Sequence, residues 1–274
     1  MLTPVAHRAA VLGRPIAHSL SPVLHGAGYA AAGLADWQYT AIDCDEPELL
    51  GVVAGLGSEW AGLSLTMPLK QAAIAIADDV APIAAAIGAA NTLVRTSDAW
   101  LAENTDAPGM VAALREAGVK RAESVAILGS GGTARAAISA ACDLGADDIH
   151  VYARRVAAFD ELAQVADRLG TSITYGEWSD AAGCADADLV VSTVPKGVAD
   201  HLHPDWRSET VVLDAVYDPW PTPIAAGAAA AGCTTVSGLA LLLHQAVRQF
   251  EMFTGVEAPV EAMRNALNAA AAGR

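Results

Sequence analysis

The 274-residue chain is 53% hydrophobic with a formal net charge of −15, enough apolar material for a large core and, by length, for two domains rather than one. That charge repels a phosphate backbone and no Lys/Arg-rich stripe offsets it, so nucleic acid is not an expected partner. Mean hydropathy is positive because alanine is abundant, yet every apolar stretch is broken short of the ~18 to 20 residues a membrane span needs.

Met1-Leu2-Thr3-Pro4 runs into Val11-Leu12-Gly13 with no basic region followed by an apolar core, so a cytoplasmic protein is expected. A strand over Ala9-Ala10-Val11-Leu12 leads to a helix beginning near Ser21-Pro22. This alternation recurs and marks an α/β chain. Between strand and helix, Ser19 and Ser21 offer paired hydroxyls suited to a carboxylate or a polyol. Ser21 before Pro22 also reads as an N-cap followed by proline at the first helical position. Cys44, Cys142, Cys184 and Cys233 lie far apart without paired spacing, as reduced packing residues and not as a metal site.

Of sixteen basic residues only Lys70, Lys120 and Lys196 are lysines. Lys70 ends Gly62-Leu63-Ser64-Leu65-Thr66-Met67-Pro68-Leu69-Lys70, an apolar strand leading into a helix. An ammonium there can shuttle a proton, which a guanidinium cannot; the plain alternative is a surface lysine on a helix's first turn. Asn91-Thr92 and Glu103-Asn104-Thr105-Asp106 add polar clusters near the expected domain junction.

Ser124-Val125-Ala126-Ile127-Leu128 predicts a strand, and Gly129-Ser130-Gly131-Gly132-Thr133-Ala134 after it fits G-x-G-x-x-G/A before a helical run from Ala134 to Leu144. Gly129 suits a tight turn, Gly131 a close backbone approach to pyrophosphate, and Ala134 close packing of helix on strand. The next strand, Ile149-His150-Val151-Tyr152, ends at Ala153-Arg154-Arg155, where NAD-binding turns carry an acid. Two guanidiniums and no carboxylate favour a 2′-phosphate, hence NADP, unless the pair is merely solvated. The strand through Asp188 to Pro195 ends in a turn placed to wall a nicotinamide pocket. Two helices close the chain, Gly238 to Thr254 and Pro259 to Ala272.

As a set, these segments resemble the shikimate dehydrogenase family, nearly end to end and in the same order. The resemblance rests on the Ser19/Ser21 stretch, Leu65 to Lys70, Ala90-Asn91-Thr92, Asn104-Thr105-Asp106, Gly129 to Arg135, Asp214 to Pro219, Thr222-Pro223 and Gly238 to Gln245. It implies an α/β protein of two domains. Residues 1–106 plus 238–274 form an α/β substrate domain to which the C-terminal helices return, and 107–237 a Rossmann-type doubly wound NADP-binding domain. It implies that Ser19, Ser21, Thr66, Lys70, Asn91, Asp106, Tyr217 and Gln245 hold the substrate, with Lys70 and Asp106 at the reacting hydroxyl. Gly129, Ser130, Gly131, Gly132, Thr133, Ala134, Ala153, Arg154, Arg155, Thr193, Val194 and Gly238 would contact NADP(H).

The implied reaction is the NADPH-dependent, reversible reduction of 3-dehydroshikimate to shikimate on the route to chorismate, with no metal, by a monomer or homodimer. Departures from the family pattern are Ser64, Gly26 and Ala153 for Asn, Ala102 for Gly and Leu241 for Met. Ser64 reaches less far than Asn, and Ala153 loses an amide near the ribose. Two other readings stand beside this one. An NAD-dependent quinate/shikimate dehydrogenase would place an acid after Tyr152, and a catalytically silent NADP-binding regulator has no need of Lys70 and Asp106.

Overall fold

The computed structural model describes residues 5–273; the opening Met1-Leu2-Thr3-Pro4 and Arg274 lie outside the described residues. The fold is α/β throughout and divides into two compact units, Met1–Thr105 with Leu242–Arg274, and Asp106–Leu241. Among the described residues no helix is long and apolar enough to cross a membrane.

The first unit runs β1 (His7–Gly13), α1 (Ser21–Ala31), β2 (Trp37–Asp43), α2 (Glu46–Ala54), β3 (Trp60–Leu65), α3 (Ala72–Ile76), β4 (Asp79–Val80), α4 (Pro82–Ile87), β5 (Thr92–Thr96) and β6 (Ala99–Glu103). Its sheet has the order β2-β1-β3-β5-β6-β4. β1 pairs in parallel with β2 and β3, whereas β5 is antiparallel to both β3 and β6. Alternation along β1 sends Ala10 and Leu12 into a core with Leu49, Leu63, Leu65, Leu93 and Trp100. The opposite face carries Ala9 and Val11, with Tyr39 and Ser64 beside them in register.

The second unit runs α5 (Asp106–Glu116), β7 (Ser124–Leu128), α6 (Gly132–Asp143), β8 (Asp148–Ala153), α7 (Val156–Arg168), β9 (Thr174–Glu177), a 3-10 helix (Trp178–Asp186), β10 (Leu189–Ser192), β11 (Val211–Asp214), α8 (Pro223–Ala230) and β12 (Thr234–Ser237). Its six strands are all parallel, in the order β12-β11-β10-β7-β8-β9. Strands covered on both faces read as continuous apolar runs, as Ser124–Leu128 does. Val125 and Ile127 enter one core with Leu114, Ile138 and Leu162; Ala126 and Leu128 enter another with Ile224 and Leu202. The chain then forms α9 (Gly238–Thr254) and α10 (Val260–Ala272).

α9 seats closely on the first unit's sheet because Gly62 has no side chain where the Phe253 ring lies. Phe250 is fully buried, and Gly28 of α1 leaves room for it. In this apolar layer His25 is also fully buried, stacked on Tyr39 with ring centroids 4.1 Å apart and planes 3° from parallel. Neither ring nitrogen has a hydrogen-bond partner in good geometry. Burial, offset only in part by Gln249, pushes the imidazole pKa down to about 3 from the usual 6.5.

The folded chain therefore stays neutral at His25 where the unfolded chain takes up a proton. Its stability is full above the unfolded value of 6.5 and declines as pH falls from there toward about 3. His25→Phe keeps a ring in the stack and removes this linkage. Urea unfolding should show the wild type losing more stability than the variant between pH ~6.5 and ~5, before most carboxylates titrate. Parallel pH profiles for the two proteins would contradict the assignment.

Candidate active site

Each sheet has a point where successive connections leave in opposite directions, between β1 and β3 in the first unit and between β7 and β10 in the second. Crevices at such switch points, beyond the carboxyl ends of the strands, are where open α/β sheets bind ligands. Ser19, Ser21, Thr66 and Lys70 follow the first pair of strand ends, and Gly129 to Ala134, Thr193 and Val194 the second.

Beyond β1, Ser19 is half-buried and Ser21 buried. The helix N-cap is Leu20, with Ser21 and Pro22 inside the first turn, so the reading of Ser21 as N-cap is corrected. The Ser19 hydroxyl instead accepts the Ser21 N–H at 3.3 Å. Six residues before Ser19, Gly13 lacks the side chain that would strike Thr66, which lets the loop after β3 fold against the end of β1. Thr66 N–H donates to the Leu12 carbonyl at 2.9 Å, and Arg14 N–H to the Met67 carbonyl at 3.0 Å.

Lys70 is half-buried in a turn, since α3 begins only at Ala72 with Gln71 as its cap. It is not on a helix's first turn. Its carbonyl accepts the Ala90 N–H at 2.7 Å, tying this turn to the segment that presents Asn91.

Asn91 is 2% exposed, so its amide must find partners inside the protein. Oδ1 accepts the Thr105 N–H at 2.7 Å and the Thr92 hydroxyl at 2.9 Å; Nδ2 donates to Thr105 Oγ1 at 2.9 Å and to Gln245 Oε1 at 3.2 Å. Gln245 Nε2 donates to the Leu242 carbonyl at 2.8 Å. The first unit thus brings Asn91 and Gln245 together although 154 residues separate them. Gln249, one turn after Gln245, belongs to the same cluster and is missing from the expected set. Its signal was the four-residue spacing that puts both amides on one helix face. Ser64 is likewise engaged, bonded by Tyr39 and bonding Gln249, despite the shorter reach that its replacement of Asn suggested.

Asp106, buried, opens α5 at the start of the second unit, directly after Thr105. In that unit the Gly-rich turn follows β7 as expected. Gly129 has φ +115°, a backbone region that side chains rarely adopt, and its N–H donates to the Tyr152 carbonyl at 3.0 Å. Gly131 is exposed, with nothing within 4 Å of where a Cβ would stand. It caps α6, which begins at Gly132 and not at Ala134, and supplies no side-chain acceptor to the first turn. A dipole end with an uncrowded backbone approach fits a pyrophosphate. Ser130, Gly132 and Thr133 are half-buried around this turn, and Ala134 is buried beneath it.

β10 ends at Ser192, two residues earlier than its apolar run suggests, which leaves Thr193 and Val194 in the turn. Thr193 donates to the Leu128 carbonyl from its N–H at 2.8 Å and its hydroxyl at 2.9 Å, joining this turn to the Gly-rich one. At the end of β8, Ala153 is buried and its carbonyl accepts the Tyr175 hydroxyl. Arg154 and Arg155 are exposed, and their guanidiniums make no ion pair among the described residues. Other arginines are paired, Arg14 with Asp43, Asp45 and Glu48, and Arg135 with Glu161. An unpaired cationic couple beside an anion-binding turn suits a second phosphate.

Tyr217 is half-buried in the loop after β11, a loop held by Asp214, whose carboxylate accepts the Val216 N–H and the Thr222 hydroxyl at 2.7 Å. Gly238 opens α9 against the Ala215 carbonyl, where no side chain fits. Among the described residues no cluster of three or more His, Cys, Asp or Glu side chains is arranged to hold a metal ion.

Gly129 carries a structural demand of its own, because a Cβ there would lie 2.5 Å from Thr193 Oγ1 as well as require the positive φ. Gly129→Ala should destabilise the protein by about 1 to 3 kcal/mol. Urea unfolding without any ligand measures this, and a variant as stable as the wild type would show the turn to be relaxed.

Two family models match the chain, described as shikimate dehydrogenase substrate binding domain over residues 11–93 and shikimate 5'-dehydrogenase C-terminal domain over residues 238–267. The shikimate dehydrogenase (NADP(+)) of Methanothermobacter thermautotrophicus is 36% identical over 97% of this chain and 98% of its own length. The crystal structure of Mycobacterium tuberculosis shikimate dehydrogenase is 47% identical with a TM-score of 0.88, covering 96% of this chain and 99% of that one. That of Thermus thermophilus shikimate 5-dehydrogenase, in complex with NADP(H) and shikimate, is 31% identical with a TM-score of 0.84 over 96% and 99% of the two chains.

Proposed function

The chain belongs to the shikimate dehydrogenase family, and we propose that Lys70 and Asp106 carry its chemistry while Ser19, Ser21, Thr66, Asn91, Tyr217 and Gln245 hold its substrate. It is an NADP-dependent oxidoreductase acting on a CH–OH group, reducing 3-dehydroshikimate reversibly to shikimate. The substrate domain is residues 1–106 plus 238–274 and the cofactor domain residues 107–237, working in the cytoplasm as a monomer or homodimer.

The observation that carries the site assignment is the pinned Asn91. A buried amide hydrogen-bonded at both ends inside the protein presents a fixed face, and the bond from Ala90 to the Lys70 carbonyl ties the lysine's turn to it. Ser19 and Ser21 stand ready for the carboxylate of the substrate. Lys70 gives its proton to the oxygen that gains negative charge as the ring ketone is reduced, and a cation there stabilises that oxygen more than it stabilises the ketone. Asp106 balances and orients the ammonium. Gly129 to Ala134 hold the cofactor's pyrophosphate, Arg154 and Arg155 its 2′-phosphate, and Ala153, Thr193, Val194 and Gly238 complete its walls. The bound nicotinamide supplies the hydride.

Lys70→Ala should lower kcat by roughly 10² to 10⁴, the span of a positioned proton-transfer group, with NADPH affinity near normal. Lys70→Arg should not restore it, because a guanidinium holds its proton. Asp106→Asn should also slow the reaction, and the double variant should lose far less than the product of the two single losses. Single-turnover hydride transfer, with thermal unfolding as the control for damage, decides this; near-normal transfer in Lys70→Ala demands another proton donor.

Replacing Arg154 and Arg155 together by Ala should weaken NADPH binding by ~2 to 4 kcal/mol through loss of charge-assisted bonds, and leave NADH binding little changed. Fluorescence titration of both cofactors makes the comparison. Equal losses for the two would remove these arginines from the 2′-phosphate.

A further inference from the structure

Tyr39 lies on β2, which contributes none of the residues assigned to either ligand, yet its hydroxyl begins a continuous chain of hydrogen bonds that ends among them. Tyr39 O–H donates to Ser64 Oγ at 2.6 Å, and Ser64 donates to Gln249 Oε1 at 2.7 Å. Gln249 Nε2 donates to Thr92 Oγ1 at 2.9 Å, and Thr92 donates to Asn91 Oδ1 at 2.9 Å. Asn91 Nδ2 then donates to Gln245 Oε1. All of these side chains except Gln245 and Tyr39 are at most 5% exposed, and those two are 7% and 8% exposed.

Each link has only one workable sense. Gln249 Nε2 also donates to the Asn91 backbone carbonyl at 3.1 Å, which can only accept, so Oε1 faces Ser64; Ser64 therefore donates to Oε1 and accepts from the phenol. Asn91 Oδ1 accepts the Thr105 N–H, which can only donate, so Thr92 donates to that oxygen and the NH₂ end of Asn91 faces Gln245. Burial pushes the Tyr39 pKa well above its usual value, so the phenol keeps the proton it donates. The ring itself is held by the His25 stack.

We propose that Tyr39 is a positioning residue of the substrate site, its O–H anchoring Ser64 and, through it, the Gln249 side chain that braces the amides of Asn91 and Gln245. The inference rests on the assignment of Ser19, Ser21, Asn91 and Gln245 to the substrate. In Tyr39→Phe the ring stays on His25 while Ser64 loses its incoming proton and is free to turn. Gln249 Oε1 then loses its fixed donor, and the amides it braces are held less firmly in the positions the substrate hydroxyls need.

The test is steady-state kinetics of Tyr39→Phe, Ser64→Ala, the double variant and Ser19→Ala with shikimate and NADP⁺, alongside thermal unfolding. Tyr39→Phe should raise the KM for shikimate roughly 3- to 10-fold, what one neutral hydrogen bond contributes, with kcat and the KM for NADP⁺ changed less than about twofold. Because both changes break one chain, the double variant should match Ser64→Ala within about twofold instead of multiplying the two effects. A residue that merely stabilises the fold would lower the unfolding temperature and leave the shikimate KM alone, which would overturn the proposal. So would multiplicative effects, or equal rises in both KM values. An unchanged KM in Ser19→Ala would show that the site assignment itself is wrong, whereas a raised KM there beside a normal Tyr39→Phe overturns the positioning role alone.

Discussion

Gln249 is 1% exposed, and a primary amide at that depth must be met by hydrogen bonds on both ends or destabilise the fold by several kcal/mol. Here Oε1 takes the Ser64 proton, and Nε2 donates to the Asn91 carbonyl and to Thr92 Oγ1. Those partners sit on β3 and at the start of β5, adjacent strands in register at Ser64 and Thr92. One side chain of α9 therefore fixes how that helix lies on the sheet, and the same helix carries Gln245 to Asn91. Gly62, bare where Phe253 arrives one turn later, permits the approach.

The two units meet the same physical problem in the same way. A right-twisted sheet whose connections diverge leaves a crevice at the strand ends, and the side chains placed there are held from behind by packed strands. In the first unit a glycine at the end of β1 admits the Thr66 loop; in the second, Gly129 at the end of β7 admits Thr193. Both turns are braced by backbone bonds between neighbouring strand ends, Thr66 to Leu12 and Thr193 to Leu128. Such rigid loops suit a reaction in which a proton and a hydride must reach one carbonyl from fixed directions.

Charge is distributed to the same end. A chain with a net charge of −15 repels anions in general, so binding an acid and a dinucleotide requires local cations. Arg14, Arg121 and Arg248 are tied to surface carboxylates, pairs that contribute little to stability. Among the described residues Arg154 and Arg155 are left without ion pairs, exposed at the end of β8.

The amino-acid order by itself determined the alternating α/β architecture, the Gly-rich turn after β7, the extent of α9 and the family to which the chain belongs. These are local signals: strands at Ser124–Leu128 and helices at Gly238–Thr254 follow from apolar runs and periodicity, and a glycine pattern specifies a backbone shape without help from distant residues. Single-sequence cues misjudged what neighbours decide. Ser21 looked like a cap, but Leu20 holds that place and Ser21 lies inside the first turn, its N–H bonded to the Ser19 hydroxyl. The start of α6 moved back to Gly132, since glycine's weak helical preference gives way to packing. Only the tertiary structure decided that Tyr39, Ser64, Thr92 and Gln249 share one hydrogen-bonded chain. Bonded members lie up to 185 residues apart along the sequence, and buried polar groups choose partners by proximity in the folded core, a property no local pattern encodes.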